Sequence, residues 1–153
     1  MNFKQFLNFK ELDEEIYKNL NGLPMDDLKY WEIVLNKCTY FLEKKYKLNY
    51  VSQGRNRIVF SSNDRNIVVK VPKNDMGNFD NNYEYNTQLI EKEKRAKCKI
   101  IFLEKSMIYL LVMEKLNITT IPDKYKSLAY EFDSMQIGLN KRGKYVGYDY
   151  GRW

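Results

Sequence analysis

One lysine inside an apolar strand constrains this chain more than any other feature. Ile67, Val68, Val69 and Val71 have the β-branched density of a strand, and Lys70 stands among them. A buried ammonium group is costly unless a counter-charge or a bound anion compensates it. The stretch from Gly54 to Glu84 reads as two short strands, a turn and the start of a helix, with Glu84 on that helix 14 residues after the lysine. The fold must carry the lysine face of the strand to that helix, to a ligand, or to both.

The rest of the chain supplies elements to surround this stretch. Phe3, Phe6, Leu7, Ile16 and Leu20 fall roughly on one face of a first helix, which Asn21-Gly22-Leu23-Pro24 stops. Asp26 or Asp27 can cap a second helix, in which Leu28, Trp31, Val34 or Leu35, Cys38, Phe41 and Leu42 recur at three- and four-residue spacing. Lys44, Lys45 and Lys47 suit the dipole at its C-terminal end. From Leu48 the period changes. Strands are predicted over 48–53, 57–62 and 66–72, the last two joined by Asn63-Asp64-Arg65. A helix over about 78–94 follows, then a hairpin of 99–103 and 107–114 around Glu104-Lys105-Ser106. A helix over about 123–132 and a strand over 144–148 complete the order.

The expected class is therefore α+β: an antiparallel sheet of about five strands, crossed by one helix and preceded by a two-helix segment. At 153 residues one domain is expected, with the helical segment over 1–47, the sheet and its helix over 48–116, and a C-terminal region over 117–153. The N-terminal helices should share the sheet's core.

Composition narrows the chemistry. The chain has no histidine, which removes Ser-His-Asp and Cys-His mechanisms, a histidine base and the usual zinc sites. Cys38 and Cys98 lack metal spacing and read as reduced packing thiols. Catalysis, if any, must run on carboxylates, lysines and a divalent ion. No run approaches the roughly 18 apolar residues of a membrane span, and Met1-Asn2-Phe3-Lys4 opens no signal peptide, so a soluble cytoplasmic protein without a membrane partner is expected. The net charge of +6 is spread along the sequence. The basic run over 92–99 reads as a solvated face or as a patch for an anionic partner, nucleic acid included through general charge, with no interleaved aromatics for base readout.

Three strands, a helix and two strands, with a strand lysine and a helix glutamate, resemble the N-terminal lobe of the protein-kinase-like fold. Gly54-Arg55-Asn56-Arg57-Ile58-Val59-Phe60 stands where that family has its glycine-rich loop, and Ile67-Val68-Val69-Lys70 resembles its lysine strand. Leu111-Val112-Met113-Glu114 looks like the strand leading to the hinge, and Asp149-Tyr150-Gly151 like the metal-binding Asp-Phe-Gly. The resemblance implies ATP and Mg²⁺ as ligands. It places Gly54, Arg55 and Arg57 at the phosphates, Lys70 on the α- and β-phosphates with Glu84 holding it, Met113 and Glu114 beside the adenine, and Asp149 on the metal. In the best local fit to the catalytic loop, Glu131 takes the base position and Gln136 the metal-binding asparagine's. Asp133 is the base in another register.

The departures from that family set the functional expectation. Only Gly54 survives of three glycines, with Arg55 and Arg57 replacing small residues. Glu131 and Gln136 are each one methylene longer than the family residues, in chemistry that depends on fine positioning. The sequence stops two residues after Gly151, before any activation segment or helical lobe. The favoured expectation is a non-catalytic, pseudokinase-like interaction protein. Its abundance of Asn, Lys, Ile and Tyr points to an A/T-rich genome and a phage origin, with a host or virion protein as partner and the host cytoplasm or the virion as location. The alternatives are a minimal Mg-ATP phosphotransferase and, less favoured, a basic nucleic-acid-associated protein.

Overall fold

The computed structural model describes residues 9–62, 64–118, 120–132 and 136–148. It is an α+β fold built on a five-stranded antiparallel sheet. Helices α1 (Lys10–Leu20) and α2 (Leu28–Lys45) lead into strands β1 (Asn49–Gln53), β2 (Arg57–Ser62) and β3 (Ile67–Pro72). Helix α3 (Asp75–Ile90) crosses to β4 (Cys98–Leu103) and β5 (Ile108–Glu114), giving the order β1-β2-β3-β5-β4. Strand β3 is thus central, flanked by β2 and β5 in continuous register, with Lys70 opposite Val59 on one side and Leu111 on the other. An edge position, where a lysine could reach water, is excluded.

Local chemistry sets most boundaries. Helix α1 ends in a left-handed Asn21 (φ 48°) followed by Gly22 (φ 74°), as a stop signal should. Asp27 caps α2 by accepting from the Lys29 N–H at 2.9 Å. Helix α3 starts three residues before the predicted Asn78, because the Asn74 side chain caps it by accepting from the Gly77 N–H at 2.9 Å. It also ends at Ile90 rather than Lys94. The residues that follow turn, so that Arg95 forms a β-bridge with Gly147.

The two faces of the sheet bury different things. Ile67, Val69 and Val71 point to a core shared with Leu12, Ile16, Trp31, Val34 and Leu42 of α1 and α2. Alternation along the strand sends Val68 and Lys70 to the opposite face, where Met113, Leu116, Val146 and Tyr148 pack. The N-terminal helices therefore cover the face away from Lys70. Asp13 of α1 ties that layer to the β4–β5 turn, accepting from the Lys105 and Ser106 N–H groups at 2.9 Å each.

The C-terminal region departs most from expectation. The predicted helix over 123–132 is a single 3₁₀ turn, Asp123–Tyr125, followed by the short α4 (Lys126–Tyr130). The strand predicted over 144–148 is β7 (Tyr145–Gly147), and it pairs antiparallel with an unforeseen β6 (Ile137–Leu139). Gly138 in the middle of β6 hides the strand from sequence reading. A Cβ there would stand 2.8 Å from the Leu116 Cβ, so the chain needs glycine to approach the end of β5. Among the described residues no helix is long and apolar enough to cross a membrane.

Candidate functional site

The Lys70 face of β3 meets the inward face of α3. Lys70 Nζ lies 2.9 Å from Glu84 Oε1 and 3.3 Å from Oε2, and the side chains are 3% and 0% exposed. Arg57, at the start of β2, joins them, with Nη1 2.8 Å from Glu84 Oε2 and Nη2 3.3 Å from Oε1. Its side chain is 2% exposed, so it is turned inward rather than toward a phosphate in the open. Burial alone would raise the Glu84 carboxyl, but the charges of Lys70 and Arg57 outweigh it and hold the group below its ordinary value.

Asn81 completes the cluster, and nothing in the sequence reading assigned it a role. Fully buried, it accepts from Arg57 Nη1 at 3.1 Å and donates to the carbonyls of Lys70 (3.0 Å) and Tyr109 (2.8 Å). Asn78, one turn earlier, donates to the Met107 carbonyl and accepts from the Tyr109 N–H at 2.7 Å. The available signal was the spacing of Asn78, Asn81, Glu84 and Gln88, polar residues on one side of a helix that turn out to be its buried side.

Beside this cluster is a cavity of about 240 Å³. Val51, Val59, Val68, Met113 and Leu116 supply its apolar walls, and Lys70 and Tyr148 also line it. A larger concavity, about 640 Å³, lies between α1 and α2 on the side of the molecule away from the buried charges. The smaller cavity is the chemically informative one. Just past the end of β5, the backbone N–H and C=O of Leu116, another lining residue, have no hydrogen-bond partner among the described residues. The Tyr148 carbonyl accepts from Lys70 Nζ at 2.9 Å, while the Tyr148 N–H donates to the Gln136 carbonyl at 3.1 Å. Gln136 is thereby within one residue of the lysine, and its side-chain Oε1 is buried with no hydrogen-bond partner among the described residues.

The structure brings together Arg57, Lys70, Glu84, Met113, Glu114 and Gln136. Glu114, at the cavity rim, also accepts from the Lys97 N–H at 3.1 Å. Two candidates fall elsewhere. Glu131 is about half exposed and pairs with Lys94 at 3.2 Å, because the short α4 leaves it on the outer surface. Arg55 is exposed at the tip of the β1–β2 turn. Asp133 and Asp149 lie outside the described residues.

The turn around Gly54 is tied down. Lys73 donates through Nζ to the Gly54 carbonyl (3.1 Å) and through its backbone N–H to the Asn56 carbonyl (2.7 Å). The amide of Asn74 reaches Asn56 Oδ1 at 3.2 Å, and the Asn56 amide reaches Asp80 at 3.3 Å. Gly77 makes this close approach possible, since a Cβ there would fall 2.1 Å from the Asn56 carbonyl oxygen. No family model, curated protein or solved structure matches the chain.

Proposed function

We propose that this is a kinase-fold-like interaction protein that holds an adenine nucleotide without transferring its phosphoryl group. The observation that carries the reading is a cavity lined both by Lys70, paired with Glu84, and by Leu116, whose backbone has no hydrogen-bond partner among the described residues. An apolar slot of about 240 Å³ accommodates a purine, whose edge would meet the Leu116 N–H and C=O. The Lys70 ammonium would face the phosphates as a point charge. Against transfer stand the surface position of Glu131 and the tethered Gly54 turn.

The protein-binding part of the reading is supported by α3. Its outward face carries Met76, Phe79, Tyr83 and Ile90, between 52% and 84% exposed, while Asn78, Asn81, Glu84 and Gln88 point inward. Such an apolar stripe on a surface helix fits a protein partner. A phage origin, with a host or virion protein as that partner, belongs to the same proposal.

One observation favours phosphotransfer as a second reading. Gln136 Oε1 is buried without a hydrogen-bond partner among the described residues, and the resemblance assigns Gln136 the family's metal-binding amide; Mg²⁺ held by it would neutralise phosphate charge. Its second expected ligand, Asp149, lies outside the described residues.

Thermal unfolding with and without about 1 mM ATP, plus and minus Mg²⁺, tests the proposal. Binding at about 100 μM stabilises by about 1.4 kcal/mol, or on the order of 3–6 °C for a domain of this size. Val68→Phe, which fills the slot while sparing the ion cluster, should abolish the shift. No shift in the unmodified protein sinks the nucleotide reading. ATP turnover, or phosphate transfer to any acceptor, would put the enzyme first.

A further inference from the structure

We propose that the surface formed by residues 91–99 and the turn 141–144 binds the phosphodiester backbone of nucleic acid without reading base sequence. Together these thirteen residues carry eight lysines or arginines against two glutamates, equal to the +6 of the entire chain, so the remainder is neutral on balance. The linear sequence separates the two segments, and the fold joins them. The Gly147 N–H donates to the Lys94 carbonyl and the Ala96 N–H to the Gly147 carbonyl, both at 2.8 Å, and Lys144 Nζ reaches Glu93 at 2.7 Å. Charge that reads as spread along the chain is gathered on one side of the molecule.

Half of these cations are held in place by carboxylates, including Lys94 on Glu131 and Arg142 near Glu114. Lys92, Lys97, Lys99 and Lys141 are exposed and have no carboxylate partner among the described residues. Lys97 and Lys99 project to the same side at the edge strand β4. Lysines on an edge strand also discourage strand pairing, but that role does not extend to the 141–144 turn.

The chemistry of the surface selects the partner. Protein interfaces are depleted in lysine and anchored by apolar or aromatic side chains. Neither segment contributes a large exposed apolar residue of its own, and Ile90 of the α3 stripe only borders the surface, so its chemistry is set by the cations. No helix is presented to a groove, which leaves sequence-independent contact between ammonium groups and phosphates.

Fluorescence anisotropy of the full chain with labelled oligonucleotides of about 20 nucleotides, single- and double-stranded, tests this at about 50 and 200 mM salt. Four phosphate contacts predict a duplex affinity loss on the order of 100-fold between those salts. Lys97→Glu/Lys99→Glu/Lys141→Glu should weaken binding at least tenfold and flatten the salt slope by about three. Lys10→Glu/Lys29→Glu/Lys44→Glu, an equal charge change elsewhere, should do neither to that extent; circular dichroism confirms that both variants fold. No binding at low salt overturns the assignment, as does equal loss in both variants. Competition by polyglutamate as effective per charge as nucleic acid would also overturn it, in favour of an acidic protein. None of these outcomes depends on the nucleotide cavity.

Discussion

At the scale of single residues, the cluster of Arg57, Lys70 and Glu84 is where the molecule is most exposed to error. Two cations converge on one carboxylate that is 0% exposed. Removing one member of a buried ionic cluster leaves the others uncompensated, which costs about 3–5 kcal/mol. Glu84→Gln keeps the shape and removes the charge, so urea denaturation should show a loss of that size; a change below about 1 kcal/mol would mean the cluster contributes little. The pH dependence has a definite sign. A carboxyl held below its ordinary value of 4.5 in the fold contributes stability that is complete above that value and lost as pH falls through the folded value. Acid unfolding of the wild type should therefore steepen below about pH 4.5, and Glu84→Gln should titrate less over the same range. The thiols behave more simply, since burial pushes Cys38 and Cys98 up to about 12, in keeping with packing roles.

At the scale of elements, α3 inverts the usual pattern. Its buried face holds Gly77, Asn78, Asn81, Glu84 and Gln88, and its exposed face holds Met76, Phe79, Tyr83 and Ile90. Hydrophobic periodicity would turn such a helix the wrong way round. It is stable in this orientation because its polar side chains are satisfied by buried groups of the sheet, among them the carbonyls of Lys70 and Tyr109. The same helix supplies a substitution whose sign is opposite to propensity. Gly77→Ala gains roughly 1 kcal/mol of intrinsic helix preference. It nevertheless forces a methyl against the Asn56 carbonyl oxygen at 2.1 Å, so a net loss of about 1–3 kcal/mol is expected from overpacking. Thermal denaturation showing Gly77→Ala to be more stable than wild type would mean that the Gly54 turn yields easily. Asn81→Ala is expected to cost about 2–3 kcal/mol by removing three buried hydrogen bonds, one from Arg57 Nη1 and two to the carbonyls of Lys70 and Tyr109.

At the scale of the whole molecule, the helical layer and the sheet are bound into one unit. Asp13 accepts from two N–H groups of the β4–β5 turn, the Ser106 hydroxyl donates to the Asp13 carbonyl at 3.1 Å, and the Tyr30 hydroxyl donates to the Ser106 carbonyl. Unfolding should be a single transition, with tryptophan fluorescence and far-ultraviolet circular dichroism coinciding. Asp13→Ala should lower the midpoint without separating the probes. Two distinct transitions would show that α1 and α2 fold independently of the sheet.

The sequence by itself determined the element order from α1 to β5, because that order rests on local periodicity. The cost of burying Lys70 called for a counter-charge or a ligand, and only the resemblance to the kinase-like lobe pointed to Glu84 as that partner. Turn and cap residues such as Asn21 and Asp27 were legible because their conformational and hydrogen-bonding preferences act within a few residues. Only the tertiary structure decided which way Arg57 points, that Asn81 and the Tyr148 carbonyl complete the cluster, that Gly138 lies in a strand, and that Glu131 stays at the surface. It also gathered the net positive charge of two distant segments onto one surface. These outcomes depend on contacts between residues far apart in the chain, and local pattern carries no information about which distant partner will satisfy a buried donor or share a charge.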